Sequence, residues 1–207
     1  MIRLLLTVLV AATLISAAVA EERPVAATAK EAMPLKAGDA VPDVSANDAA
    51  GKSVKLSTFH TDGPVVIVFF RGSWCPICTK HFQELNQIYP EVAKLGAKMV
   101  AISPDTVENS KGNSTKLKAP FPLLSDSDLV AAKAFGLAFQ VDDATFQKYK
   151  GFGIDLENAS GRGHHALPVP AVYIVDRSGK ITFAHSNPDY TKRLDAQTIL
   201  VELKKIP

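Results

Sequence analysis

The chemistry that this 207-residue chain suggests centres on two cysteines. Cys75 and Cys78 are the only cysteines, and they end the sequence V-V-I-V-F-F-R-G-S-W-C-P-I-C at residues 65–78. Proline suits the first position of a helix, so Pro76 predicts a helix start with Cys75 as N-cap and Cys78 as third residue. Both thiols then lie within one turn, a spacing at which one thiol can be activated and its neighbour can close a disulfide.

The expected position of these thiols also predicts their reactivity. Unpaired backbone N–H groups and the positive end of the helix dipole favour thiolate over thiol. Arg71 precedes the pair and is a candidate for lowering a thiol pKa, and Trp74 is expected to pack over the site. An inert disulfide is disfavoured, because bridging residues within one turn closes a loop too small to remove much entropy from the unfolded chain.

The elements that must position this pair form an α/β pattern. The apolar run before Arg71 predicts a buried central strand, and apolar residues at intervals of three and four predict the helix after it, ending near Gly96. Further strands and helices alternate along the chain, which predicts a parallel-type sheet with helices on both faces. Strands are expected at 98–103, 120–126, 171–175 and 180–185, a hairpin at 41–56, and helices before residue 118 and at 128–135, 142–150 and 195–204.

The remaining stretches define the organisation of the chain. Residues 1–20 show one Arg, a short apolar core and Ala18-Val19-Ala20, which predicts a secretory signal peptide and an exported, periplasmic protein without stable membrane insertion after cleavage. Residues 21–36 are expected to be a flexible tether, and 37–207 a single domain. Residues 137–167 are too long for an ordinary connection. A net charge of +2 gives no reason to expect nucleic-acid binding.

Several motifs resemble known families. Trp74-Cys75-Pro76-Ile77-Cys78 resembles the W-C-x-x-C of thioredoxins, and Val169-Pro170 before a strand resembles their cis-proline loop. The wider frame is closer to the peroxiredoxin-like branch of the alkyl hydroperoxide reductase and thiol-specific antioxidant family. Its segments are F-F-R-G-S-W-C-P-I-C, V-A-I-S-P-D, V-Y-I-V-D-R-S-G-K-I and F-A-H-S-N-P-D-Y-T-K-R.

This resemblance implies a thioredoxin-like fold and a set of site residues. The fold would be a central mixed sheet with helices on both faces, an N-terminal hairpin, and one long insertion before the cis-proline. In the peroxiredoxin pattern P-x-x-x-T-x-x-C, the attacking position falls on Cys78, the threonine position on Cys75 and the proline position on Arg71. The distant arginine of the family would fall near Pro170. The pattern therefore implies a sulfur without its usual threonine and arginine.

Three functions remain open at this point. The first is reduction of hydroperoxides through a Cys75/Cys78 dithiol-disulfide cycle, with Cys78 attacking and a thioredoxin-like or other thiol reopening the disulfide. The second is exchange with protein disulfides, with a partly exposed Cys75 attacking. The third is a metal-binding redox chaperone that combines the cysteines with His164 and His165. The preferred interpretation, the first, needs no metal or other cofactor.

Overall fold

The computed structural model describes residues 23–206. The predicted signal peptide at 1–20 lies outside these residues. Among the helices described, none combines the length and the apolar character that crossing a membrane requires.

A seven-stranded mixed sheet forms the centre of the domain, in the order β2-β1-β5-β4-β3-β8-β9. Strand β3 is central, pairing in parallel with β4 and antiparallel with β8. Strands β6 and β7 form a separate antiparallel pair. The strands are β1 Ser45–Asn47, β2 Ser53–Lys55, β3 Val65–Phe69, β4 Lys98–Ser103, β5 Leu123–Ser125, β6 Ala138–Gln140, β7 Ala166–Pro168, β8 Ala171–Val175 and β9 Ile181–Ser186.

Helices cover both faces of this sheet, as the sequence predicted. They are α1 Pro76–Lys94, α2 Val107–Leu117, α3 Val130–Ala134, α4 Asp143–Gly151, α5 Leu156–Ser160 and α6 Ala196–Leu203, with a short 3-10 helix at Leu56–Phe59. Helices α1 and α6 pack together, and α3 contacts the N-terminal hairpin. The thioredoxin-like α/β architecture with an N-terminal hairpin is therefore confirmed.

The central strand β3 joins the two halves of the core because its side chains alternate between the faces. Val66 and Val68 pack in the cluster under α1 and α6, whereas Val65, Ile67 and Phe69 pack in the cluster on the opposite face. All five side chains are buried. Burial on both faces explains why this strand is continuously apolar in sequence, and it holds the following turn rigidly at the carboxyl end of β3.

The long insertion has more structure than the sequence predicted. Its expected helix at 142–150 is confirmed as α4, but α5 and the pair β6–β7 were not predicted, because elements of three to five residues are too short to show periodicity. A small core of Val141, Phe146, Leu156 and Leu167 holds the insertion together. The insertion is therefore a packed unit that begins and ends as paired strands.

Residues 23–36 differ from the flexible tether that the sequence predicted. The amide of Ala26 donates to the carbonyl of Ala138 at 2.9 Å, and Gln140 donates back to Ala26 at 2.8 Å. Leu35 is buried in the core and donates its amide to Phe135. The Ala26 bonds extend the β6–β7 pair at its edge. A tether leading away from the domain would not make these contacts.

The expected cis-proline is wrong. Within residues 23–206 no peptide bond is cis, so the bond from Val169 to Pro170 is trans. The short V-P motif could not decide the isomer, because the trans form of an X-Pro bond is favoured by about 0.5–1 kcal/mol before any tertiary contact is made. Pro170 instead joins β7 to β8 in trans geometry.

Candidate active site

The two cysteines occupy the helix positions that the sequence predicted. Cys75 is the N-cap of α1, Pro76 is its first residue, and the amide of Cys78 donates to the Cys75 sulfur at 3.4 Å. The cap therefore places a sulfur where a serine or aspartate oxygen usually lies, in reach of an otherwise unpaired helix N–H group. Both cysteines are free thiols.

The surroundings of Cys75 favour its thiolate. Its pKa is lowered to about 6, first by the hydrogen bond from the Cys78 thiol, then by the Cys78 amide and by the charges of Arg71 and Arg193. Burial opposes this shift, since only 1% of the residue is exposed. At neutral pH, such a thiol is roughly 90% ionised, against a few per cent for an unperturbed cysteine.

Cys78 has the opposite ionisation. Its pKa is raised because it donates to the Cys75 sulfur, because it is buried, and because the Cys75 charge repels a second thiolate. Nη2 of Arg193 lies 3.4 Å from the Cys78 sulfur and acts in the other direction. The pair thus holds one negative charge, and a different arginine lies beside each sulfur.

Arg71 is the arginine that lies beside the Cys75 sulfur. Its Nη1 lies 3.9 Å from the Cys75 sulfur, and its Nη2 donates to the hydroxyl of Tyr149. The guanidinium carbon lies 4.0 Å from the ring centroid of Tyr190, 4.9 Å from that of Trp74 and 5.4 Å from that of Tyr149. Arg71 is only 3% exposed, so three aromatic rings and a sulfur replace water around this cation.

A groove of about 440 Å³ leads to Arg71 from the surface. Its walls include residues from the N-terminal segment, the insertion and the loop before α6. Pro170 lines this groove, whereas Val169 is buried and donates its amide to Leu137. The position expected of the proline loop is thus beside the site, although the peptide bond is trans.

A buried carboxyl supports the turn that carries the cysteines. Asp105 accepts hydrogen bonds from the amide of Ser73 at 3.0 Å, the hydroxyl of Ser103 at 3.1 Å and the amide nitrogen of Asn113 at 2.8 Å. Burial raises its pKa to about 6. The link from the end of β4 to Ser73 fixes the backbone two residues before the N-cap.

His81 is buried, with 4% exposure. It lies one helical turn after Cys78, and its pKa is lowered to about 4 by burial, by the charge of Arg193 and by His185. A neutral imidazole therefore packs near the cysteine pair.

The histidines of the metal hypothesis have other partners. Nε2 of His164 pairs with the carbonyl of Ser127, and Nε2 of His165 pairs with Glu157. In the part of the chain that the structure describes, no group of three or more His, Cys, Asp or Glu side chains could hold a metal ion. The structure does not bring the predicted set of two cysteines and two histidines together.

Three site residues escaped the sequence analysis. Arg193 and Tyr190 stand in the quoted segment F-A-H-S-N-P-D-Y-T-K-R, but nothing in its spacing indicates contact with residues 71–78. Tyr149 lies in the insertion, 78 positions after Arg71. In place of a family arginine near Pro170, two arginines face the sulfurs. The sequence indicated Arg71, whereas only the folded chain brings Arg193 to Cys78.

The geometry defines a thioredoxin-fold protein with a buried cysteine pair at the N-terminus of its first long helix. The AhpC/TSA family profile matches residues 37–184, and the chain belongs to that family. Its curated relatives include peroxiredoxins of the Q type, and solved structures of peroxiredoxins superimpose on it, in agreement with the resemblance to the peroxiredoxin-like branch.

Individual comparisons agree with this assignment. The chain is 27% identical over 164 residues to the chloroplastic peroxiredoxin Q of Oryza sativa subsp. japonica, covering 79% of this chain and 65% of the rice protein. It is 29% identical over 150 residues to that of Sedum lineare, covering 72% and 68%. The crystal structure of peroxidoxin BcpB from Mycobacterium tuberculosis superimposes with a TM-score of 0.65 at 25% identity, covering 84% and 99% of the two chains.

Proposed function

We propose that this protein is a thiol peroxidase that reduces hydroperoxides through its two cysteines. The observation that carries the proposal is the buried Cys75/Cys78 pair with one shared negative charge, in a chain of the AhpC/TSA family. A thiolate is the reactive form of cysteine toward peroxides, and this pair supplies one at neutral pH.

The reaction balances with the groups at the site. A thiolate attacks the terminal oxygen of the hydroperoxide, the O–O bond breaks, and the alcohol leaves after taking a proton. The sulfenic acid that forms is then attacked by the second sulfur, which expels water and closes the Cys75–Cys78 disulfide. An external dithiol, such as a thioredoxin-like protein, supplies the two electrons that reopen the bond.

Cys75 is the sulfur that we propose attacks first, in contrast to the family position, which falls on Cys78. Cys75 carries the negative charge of the reduced pair. Arg71, whose Nη1 lies 3.9 Å from the Cys75 sulfur, lines the groove that opens to solvent. Cys78, whose pKa is raised, resolves the sulfenic acid within the same helical turn. Arg71 and Arg193 would stabilise charge on the two sulfurs and on the peroxide oxygens.

The depth of the sulfurs favours a small substrate over a protein disulfide. Cys75 and Cys78 are 1% and 2% exposed, whereas exchange with a protein disulfide needs a sulfur that the partner can approach in line. The trans bond before Pro170 also departs from the thioredoxin pattern. Disulfide exchange is therefore the weaker alternative.

Stopped-flow fluorescence of Trp74, the only tryptophan, tests the proposal directly. The reduced protein is mixed with hydrogen peroxide or cumene hydroperoxide, and separately with an oxidised protein substrate. We expect oxidation by a hydroperoxide to be at least a hundredfold faster than that of free cysteine, and exchange with the protein disulfide to be slow. The opposite order of rates would support a disulfide oxidoreductase instead.

An exported location remains part of the proposal. It is supported by the sequence of residues 1–20, with its single Arg, apolar core and Ala-x-Ala site. Fractionation of cells that express the full chain, with Ala18 and Ala20 replaced by bulky residues as a control, would test it. Processed protein in the cytosolic fraction would contradict export.

A further inference from the structure

Arg71 is a buried cation with an unusual set of partners. It is 97% buried, and its Nε has no hydrogen-bond partner in the structure. None of the ion pairs among residues 23–206 involves Arg71. Asp105, the nearest buried carboxyl along the chain, bonds to Ser73, Ser103 and Asn113 instead. The negative charge that faces the guanidinium is the Cys75 thiolate.

Oxidation removes that negative charge. The reduced pair holds one proton, on Cys78, so forming the disulfide releases two electrons and one proton and leaves neither sulfur ionised. The guanidinium remains charged, since arginine does not deprotonate in proteins. A buried charge without a counterion is unfavourable, and the three aromatic rings around Arg71 compensate for it only in part. In the disulfide form, the Arg71 guanidinium therefore no longer has the Cys75 thiolate as its negatively charged partner.

The groove offers access to this position. Arg71 and Tyr149 lie among its lining residues, together with apolar side chains that include Phe139, Val141 and Pro188. Lys30 and Asp142 also line the groove, and the Asp142 carboxylate is occupied as the N-cap of α4, where it accepts from Thr145. An anion that enters along the apolar walls therefore meets one buried cation and a tyrosine hydroxyl.

We propose that the disulfide form of this protein binds a small monovalent carboxylate with an apolar substituent at Arg71, and that the reduced form does not. A planar guanidinium matches the two oxygens of a carboxylate. One buried cation balances one negative charge, which disfavours phosphate dianions. The apolar walls would hold the substituent.

Reciprocal linkage gives this site a redox consequence. A ligand that binds only the disulfide form shifts the thiol-disulfide equilibrium toward the disulfide by a factor of one plus its concentration divided by Kd. At ten times Kd, the equilibrium constant should change about elevenfold. Small carboxylates would thus make the reduced protein a stronger reductant.

The test is calorimetric titration with hexanoate, using uncharged hexanamide as the matched control. This inference deepens the proposed function, but its test does not depend on peroxide chemistry. Diamide oxidises the pair by accepting two electrons and one proton from it and a second proton from water. Dithiothreitol, which is uncharged, keeps the comparison sample reduced. We expect hexanoate to bind the disulfide form at least tenfold more tightly than the reduced form, and hexanamide to bind neither.

Variants make the electrostatic cause explicit. Cys75→Ser replaces the thiolate by a neutral hydroxyl, so it should bind hexanoate even under reducing conditions. Arg71→Gln should abolish binding, and Arg71→Lys should retain a weakened affinity. Arg162→Gln, which changes an exposed arginine outside the groove, should bind as the parent does. Far-UV circular dichroism checks that each variant folds.

Three results would overturn the proposal. They are equal affinity of hexanoate for the reduced and disulfide forms, equal affinity of hexanoate and hexanamide, and failure of both the disulfide form and Cys75→Ser to bind. Tighter binding of inorganic phosphate than of hexanoate would overturn the assignment to a carboxylate. If hydroperoxide reduction fails while redox-dependent binding is observed, only the proposed function is wrong.

Discussion

The two sulfurs lie in one helical turn, yet their surroundings differ. Cys75 accepts from a backbone amide and faces Arg71 at the inner end of an open groove. Cys78 lies within α1, faces Arg193 and comes three residues before the neutral His81. The surroundings of Cys75 favour its thiolate, whereas those of Cys78 favour its protonated thiol.

This difference shows that a shared motif does not make its two cysteines equivalent. Each sulfur receives an arginine, but the helix cap and the hydrogen bond between the thiols both act in favour of a Cys75 thiolate. The asymmetry arises from the direction of the helix: the N-cap sulfur accepts from the first turn, whereas the third residue of the helix is part of it.

The largest expected effect comes from removing one sulfur at a time. Cys75→Ser should lower the rate of the first oxidation at least a hundredfold, because the serine hydroxyl is not ionised at neutral pH. Cys78→Ser should keep this step and stop at a sulfenic acid, which dimedone trapping and mass spectrometry detect. A sulfenic acid on Cys78 in the Cys75→Ser protein, formed at the parent rate, would reverse the assignment.

The pH profile of alkylation is the next way to test the comparison. Because the folded pKa of Cys75 is lowered to about 6, reaction with iodoacetamide should rise through pH 6 and level off above it. Arg71→Gln removes a positive charge that favours the thiolate, so the midpoint should move upward, by about one unit. Mass spectrometry after brief labelling gives the midpoint, with Arg162→Gln as a control at an exposed arginine.

Replacement of Arg193 should separate the two sides of the site. Arg193→Gln removes the cation next to Cys78, so its pKa should rise further and disulfide closure should slow by roughly tenfold. The alkylation midpoint of Cys75 should move less than in Arg71→Gln, since Arg71 contributes more to that pKa. Quench-flow trapping of the sulfenic acid measures the rate of disulfide closure. Equal shifts of the Cys75 midpoint in Arg71→Gln and Arg193→Gln would contradict the assignment of one arginine to each sulfur.

The smallest effect is expected from two tyrosines over Arg71. Tyr149→Phe removes the hydroxyl that accepts from Arg71, whereas Tyr190→Phe keeps the ring that lies over the guanidinium. We expect the Cys75 midpoint to rise by a few tenths of a unit in Tyr149→Phe and to stay unchanged in Tyr190→Phe. The alkylation profile used above resolves this shift, and identical profiles would show that the ring, not the hydroxyl, positions Arg71.

The sequence predicted well where the signal was local. The apolar run of β3, Pro76 and the cysteine spacing predicted the strand, the cap and the helix start, and each is confirmed. The insertion was predicted poorly, because β6, β7 and α5 are short and gain their stability from a small shared core. Residues 23–36 contain no strong pattern either, and their contacts depend on the insertion that they pair with.

By itself, the sequence determined where the two cysteines lie and how the helix presents them, since capping and strand patterning act over a few residues. Only the tertiary structure decided the charge and access of the two sulfurs. Arg193 and Tyr149 reach the site from distant segments, and the bond before Pro170 is trans. Electrostatic fields depend on distance in space, and residues 71, 149 and 193 approach one another only when the sheet, the insertion and the loop before α6 are packed together.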